Sequence, residues 1–192
     1  MISFKSKYLA PTTIQSRQSY DKYRDIKASI VEFEPEFNKD LSELKKIALS
    51  WRSTGEHWSY AGDIYNDACE EHENVFHQKS PLKRFVGLTL QNKNFEHVSH
   101  VNVLGLAEIS KCGSMGDYKL EYLQTDPENM FSLDERKFRY VGRALINAIK
   151  TIAKGKKIIV DSVPSAIDFY ESMGFKRENI LSSYRLVFKP KI

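Results

Sequence analysis

Between Leu120 and Phe175 the order of residue types leaves the chain few ways to fold: a strand, a basic turn, an amphipathic helix, a second strand and a last helix follow one another. Lys119 to Thr125 carries strand-favouring residues and closes at Asp126-Pro127, since a residue before proline is held in extended backbone. Val141, Ala144, Leu145, Ala148, Ile149 and Ile152 then recur on one helical face, and Gly155 supplies the stop. Lys157 to Val160 is a short apolar strand. Ala166, Ile167, Phe169, Tyr170 and Met173 make the apolar side of a final helix that ends at Gly174.

Upstream, residues 1–25 show no sustained period and are broken by Pro11, which reads as an N-terminal arm ahead of a single domain over residues 26–192. Ile26 to Phe33 reads as a first strand. Asn38 is placed as the cap of a helix through Leu41, Leu44, Ile47, Ala48 and Trp51, and a second helix covers Ile64 to His72. The connection between them, rich in aromatic and polar groups around His57, Trp58 and Tyr60, is a candidate cleft wall, or simply a loop anchored by its rings. Arg84 to Gln91 and Val101 to Ile109 read as an antiparallel pair, and Ser183 to Phe188 as the closing strand. Strands and helices alternate only in part, so the expected class is α/β (α+β) with a mixed sheet and helices on both faces.

Composition narrows the chemistry. A 192-residue chain with 41% hydrophobic residues builds its own core. Cys69 and Cys112 are far apart, with no CxxC spacing and no clustered histidines, so neither a disulfide framework nor a metal site is expected. No apolar run has the length of a membrane span and no secretory leader is evident, which suggests a soluble protein of the cytoplasm; export without a cleaved signal is the alternative. The formal charge of +4 favours anionic ligands, and the positive residues are concentrated in Arg136, Lys137, Arg139 and Arg143 and in Lys154, Lys156 and Lys157, a solvated face being the ordinary reading of either cluster. The first N–H groups of the helix at Gly142 have no partners within the helix, and its dipole favours an anion there. Four cations at a helix N-terminus are unfavourable without an anion, so the turn calls for a phosphate, although neither GxGxxG nor GxxxxGK[ST] is present.

With these features the chain resembles the GCN5-related N-acetyltransferase (GNAT) family. That family carries a Q/R-x-x-G-x-G/A turn followed by an amphipathic helix, a strand and a helix with an A-x-x-F/L-Y-E-x-x-G-F pattern. The second motif is matched by Ala166-Ile167-Asp168-Phe169-Tyr170-Glu171-Ser172-Met173-Gly174-Phe175. The first is matched in one of two registers: Arg139 to Ala144 with Gly142 as the first glycine, or, preferred because it aligns the helix, Gly142 as the second glycine with Tyr140 in place of the first. The connection over Glu128 to Glu135 is longer than the family's usual one, and Val163 stands near the place of a frequent asparagine.

The resemblance implies a mostly antiparallel mixed sheet with splayed central parallel strands, and acetyl-CoA as co-substrate without a metal. It implies that the diphosphate is held by Lys137, Arg139, Tyr140, Val141, Gly142, Arg143 and Ala144, and the pantetheine by the backbone of Leu123 and Thr125. An amine would attack the thioester directly in a ternary complex, with Tyr170 protonating the departing thiolate. On spacing alone Tyr170 is an aromatic of the helix's apolar side. Alternation puts Glu121 on one face with Leu123 and Thr125. Glu121 or Glu108 is the candidate base that deprotonates the ammonium, each being equally a strand-end charge, and His57 is a third. The acceptor is open among a small amine, a protein amine and the charged end of an aminoacyl-tRNA, as for toxins of the family. A non-catalytic acyl-CoA-binding module is the competing class. No membrane partner is expected, and oligomeric state is left open.

Overall fold

Two long antiparallel strands, β1 (Lys7–Ser19) and β2 (Lys22–Phe33), open the chain in the computed structural model, which describes residues 6–19, 22–53, 59–76, 82–92, 97–129, 136–178 and 184–190. They pair along almost their whole length, from Lys7 opposite Glu32 to Ser19 opposite Lys22. The expected arm over residues 1–25 is therefore corrected: most of it is sheet. Its strand character is hidden because β1 lies near the sheet edge and buries only Ile14 fully. Pro11 is tolerated there because β1's second neighbour pairs only with Gln15 and Ser16, leaving no ladder bond on that side at Pro11. In β2 the first half is polar and the second, Ala28 to Phe33, is buried on both faces, which is why only the second half is visible as a hydrophobic run.

Helices α1 (Asn38–Ser53) and α2 (Tyr60–Phe76) follow, with Asn38 already inside the helix rather than capping it. Strands β3 (Lys83–Thr89), β4 (Val103–Cys112) and β5 (Asp117–Thr125) form an antiparallel meander. A two-residue strand β6 (Phe138–Arg139) leads into α3 (Val141–Ala153). Then come β7 (Ile158–Asp161), α4 (Ile167–Ser172), β8 (Lys176–Arg177) and β9 (Arg185–Phe188). The nine strands make one sheet in the order β6-β1-β2-β3-β4-β5-β7-β9-β8, in which β5 and β7 are the parallel pair.

The core lies in two layers. On one face α1 and α2 pack Leu44, Ile47, Trp51, Ile64 and Ala68 against Val31, Phe33, Phe85 and Leu106. On the other, α3 and α4 bury Leu145, Ile146, Ile149 and Ile167 against Leu88, Ile109, Leu120 and Val160. α3 comes close to the sheet because of Gly105: a Cβ there would fall 2.8 Å from Val141 Cγ1 and 2.9 Å from Leu145 Cδ1. No described helix is long and apolar enough to cross a membrane.

Candidate active site

The parallel pair β5–β7 is joined at Tyr118, Lys119 and Leu120 and nowhere beyond. β7 stops at Asp161, whereas β5 runs on from Glu121 to Thr125 with β4 as its only neighbour among the described strands. The two strands thus part above Leu120 and Val160, leaving a wedge lined on one side by the backbone edge of Glu121 to Thr125. This is where the sequence places Leu123 and Thr125.

The α3 N-terminus closes one end of the wedge. The first helical hydrogen bond runs from the Ala144 N–H to the Tyr140 carbonyl, at 2.9 Å, so the N–H groups of Val141, Gly142 and Arg143 have no acceptor within the helix. Tyr140 precedes them at φ 70° and ψ 11°, a left-handed conformation that favours glycine and suits the register in which Tyr140 stands in the place of the first glycine. Among the described residues no carboxylate forms an ion pair with Lys137, Arg139 or Arg143. Together these groups form a cradle for an anion, with N–H dipoles and side-chain charges of one sign.

Four sets of contacts that sequence reasoning missed hold this turn. The Asn129 side chain mimics a strand, its Nδ2 donating to the Phe138 carbonyl at 2.8 Å and its Oδ1 accepting from the Phe138 N–H at 2.6 Å. β6 pairs with β1 through Gln15 opposite Arg139 and Ser16 opposite Phe138. Arg17 N–H donates to the Lys137 carbonyl at 2.9 Å, and the Tyr23 hydroxyl donates to that of Arg136 at 2.9 Å. An asparagine shortly before a basic turn gives no signal of its own.

The far wall of the wedge is α4. Tyr170 is buried, with its ring edge-on to Phe169 and Phe175 at centroid distances of 5.1 and 5.6 Å. Burial, and to a smaller degree Tyr60, pushes its hydroxyl up to about 12, so it holds its proton throughout the neutral range. Tyr60 belongs to the first turn of α2, on the opposite face of the sheet, and stacks on Tyr122 of β5 at 5.4 Å. Gln124 pins the start of α2 to β5, its Oε1 accepting from the Ala61 N–H at 2.8 Å. The walls are tied together by Lys150 of α3, whose Nζ donates to the Met173 carbonyl after α4 and lies 4.3 Å from the Phe188 ring centroid. Phe169 comes close to the anion cradle, because a Cβ at Gly142 would meet its Cζ at 3.4 Å.

The two candidate carboxylates lie elsewhere than alternation predicts. The register shifts between Glu108–Tyr122 and Ile109–Leu120, leaving Glu121 as the extra residue of a bulge. Leu123 packs in the α3 layer and Tyr122 in the α1–α2 layer. Glu121 is held by Ser110 Oγ at 2.6 Å and Lys119 Nζ at 2.8 Å, on the side away from Leu123, which corrects the expectation of a shared face. Glu108 is wholly buried, and neither of its oxygens has a hydrogen-bond partner among the described residues. Lys83 Nζ stands 3.5 Å from Oε1 while pairing more closely with Asp67. Burial first, then the Asp67 carboxylate, pushes Glu108 up to about 9 against the pull of Lys83. A carboxyl in that state carries its proton at neutral pH. His57 and Trp58 lie outside the described residues. Among the described residues no group of three His, Cys, Asp or Glu side chains is placed to hold a metal ion.

No protein-family model matches the sequence, and no curated protein matches it. Solved structures do. AtaTR bound with AcCoA is 16% identical, with 84% of this chain and 92% of that one covered at a TM-score of 0.52. A putative N-acetyltransferase from Lactobacillus plantarum and Arabidopsis thaliana NAA60 in complex with a bisubstrate analogue are each 11% identical, with 84% of this chain and 97% of the other covered at 0.52. At such identities the likeness is one of fold.

Proposed function

We propose that this chain, whose fold is that of the GCN5-related N-acetyltransferases, is an acetyl-CoA-dependent N-acetyltransferase that acts on an amine. The observation that carries the proposal is the wedge between β5 and β7, with an anion cradle at one end and a buried tyrosine hydroxyl on its far wall. The residues present fit the cofactor. Three N–H groups without helical acceptors and three cations without acid partners among the described residues suit a diphosphate, and the edge of β5 that pairs with no described strand suits an amide-bearing chain lying along it.

When bound, acetyl-CoA supplies the acyl thioester that an amine attacks. In this reading the N–H groups of Val141, Gly142 and Arg143 fix the nucleotide end, while Lys137, Arg139 and Arg143 neutralise its charge. Leu123 and Thr125 offer backbone groups along the wedge and orient what lies there. Tyr170 keeps its proton at neutral pH and so can give it to a leaving thiolate. Glu121, half-buried and already oriented by Ser110 and Lys119, takes the role of base directly or through water, because Glu108 is protonated in the same range.

The test is a melting curve with acetyl-CoA, with ATP as control, followed by thiol release on a panel of amines. Saturation at about 100 times Kd adds about 2.7 kcal/mol, so a rise of roughly 5 to 11 °C is expected with acetyl-CoA alone. A rise without thiol release on any amine would favour a binding module, and no rise would remove the cofactor altogether.

A further inference from the structure

The cofactor proposed above carries two anionic centres, a diphosphate and, one ribose away, a 3′-phosphate; the cradle at Val141–Arg143 accounts for the first. A second positive feature stands just upstream. Arg139 lies over the Tyr23 ring, its guanidinium carbon 3.8 Å from the ring centroid. It is exposed and without an acid partner among the described residues, and it sits two residues before the helix, within about 7 Å of chain. The nearby Asp25 is engaged by the Gln15 amide at 3.1 Å. The platform is built by the N-terminal hairpin: β6 pairs with β1, and the Tyr23 hydroxyl is anchored on the Arg136 carbonyl. Arg136 adds an Nε that is buried without a hydrogen-bond partner among the described residues. A guanidinium stacked on an aromatic ring is ordered before a ligand arrives and keeps its in-plane N–H groups for a phosphate.

We propose that Arg139 and Tyr23 form a subsite for the 3′-phosphate of the cofactor's nucleotide, Arg139 making the contact and Tyr23 positioning it. The inference rests on the acetyl-CoA reading but is separable from it. The N-terminal hairpin then has a binding role besides its structural one, since its second strand carries half of the platform.

The experiment is calorimetric titration of the full chain with CoA and with 3′-dephospho-CoA. The wild type is expected to bind CoA about tenfold more tightly than dephospho-CoA, or about 1.4 kcal/mol. Arg139→Met is expected to weaken CoA about tenfold more than it weakens dephospho-CoA and so bring the ratio near one. Tyr23→Leu should lower the ratio in the same way, which a merely structural loss, weakening both ligands alike, would not do; Tyr23→Phe should keep it. Equal wild-type affinities, or a ratio unchanged in Arg139→Met, would overturn the subsite while leaving the acetyl-CoA reading intact. Failure of both ligands to bind the wild type would overturn both.

Discussion

Glu108→Gln is expected to stabilise the protein, and by more the higher the pH. The carboxyl is fully buried on β4, its oxygens lack hydrogen-bond partners among the described residues, and its folded value is near 9 against an ordinary 4.5. Below pH 4.5 the group is protonated in both folded and unfolded chains, so it contributes no pH dependence. Between the two values the unfolded chain releases the proton and the folded one keeps it, and stability falls as pH rises. Each pH unit in that window costs about 1.4 kcal/mol, which makes about 3 kcal/mol at pH 7. The amide of Glu108→Gln has nearly the same shape and no proton to lose, so it removes that cost. For a domain of this size the gain corresponds to a rise of roughly 6 to 12 °C in Tm at pH 7. Urea denaturation of both proteins at pH 5, 6, 7 and 8 reads the difference directly. A gain independent of pH, or a loss that grows with pH, would refute the reasoning and mean that Glu108 is ionised and held by Lys83.

Tyr170→Phe should lower turnover about 100-fold, the low end for a general acid, with acetyl-CoA affinity nearly unchanged; steady-state rates beside calorimetry check this, and a full-rate variant would remove Tyr170 from the mechanism. Gly142→Asp should weaken acetyl-CoA at least tenfold, because a carboxylate would face the diphosphate, whereas Gly142→Ala, whose Cβ meets only the Phe169 ring edge, tests the steric part; equal affinities for the wild type and both variants would mean that the diphosphate is held elsewhere. Asn129→Ala leaves the Phe138 N–H and carbonyl without their side-chain partners and should cost about 2 to 4 kcal/mol as well as acetyl-CoA affinity, measured by denaturation and titration; loss of stability alone would separate the turn from the cofactor.

What could be seen in the sequence follows from which residues carry their own signal. α3 is legible because its apolar face repeats at helical spacing, and α4 because Phe169, Tyr170 and Gly174 stand in a pattern. The antiparallel pairing of β3 with β4 was legible too, since both are apolar runs set apart by turn residues, whereas the mostly antiparallel order of the whole sheet came only from the family resemblance. β1 was not, because one fully buried residue in 13 leaves no alternation to find. The bulge at Glu121 was not, because it depends on the register of β5 against β4 and has no local marker. That one residue decides which face the candidate base occupies, so a site argued from alternation fails there even when the strand itself is well placed.

The hidden hairpin and the legible turn explain one another at Tyr140. A non-glycine residue in the left-handed region costs about 1 to 2 kcal/mol, and an isolated turn would relax by moving Tyr140 out of it. Here the turn cannot move freely. Phe138 is held through both backbone groups by Asn129, β6 is paired to β1, and Arg136 and Lys137 are bound through their carbonyls to Tyr23 and Arg17. Each hydrogen bond contributes about 1 kcal/mol net, so together they outweigh the strain. A glycine at this position would need no such support. The replacement of glycine by tyrosine and the presence of the hairpin are therefore coupled, and Tyr140→Gly is expected to stabilise by about 1 kcal/mol with Asn129 intact, where the strain is held, and by less in Asn129→Ala, where the turn is free to relax. A double-mutant cycle by urea denaturation measures that coupling, and additive effects would show that the hairpin does not hold the turn.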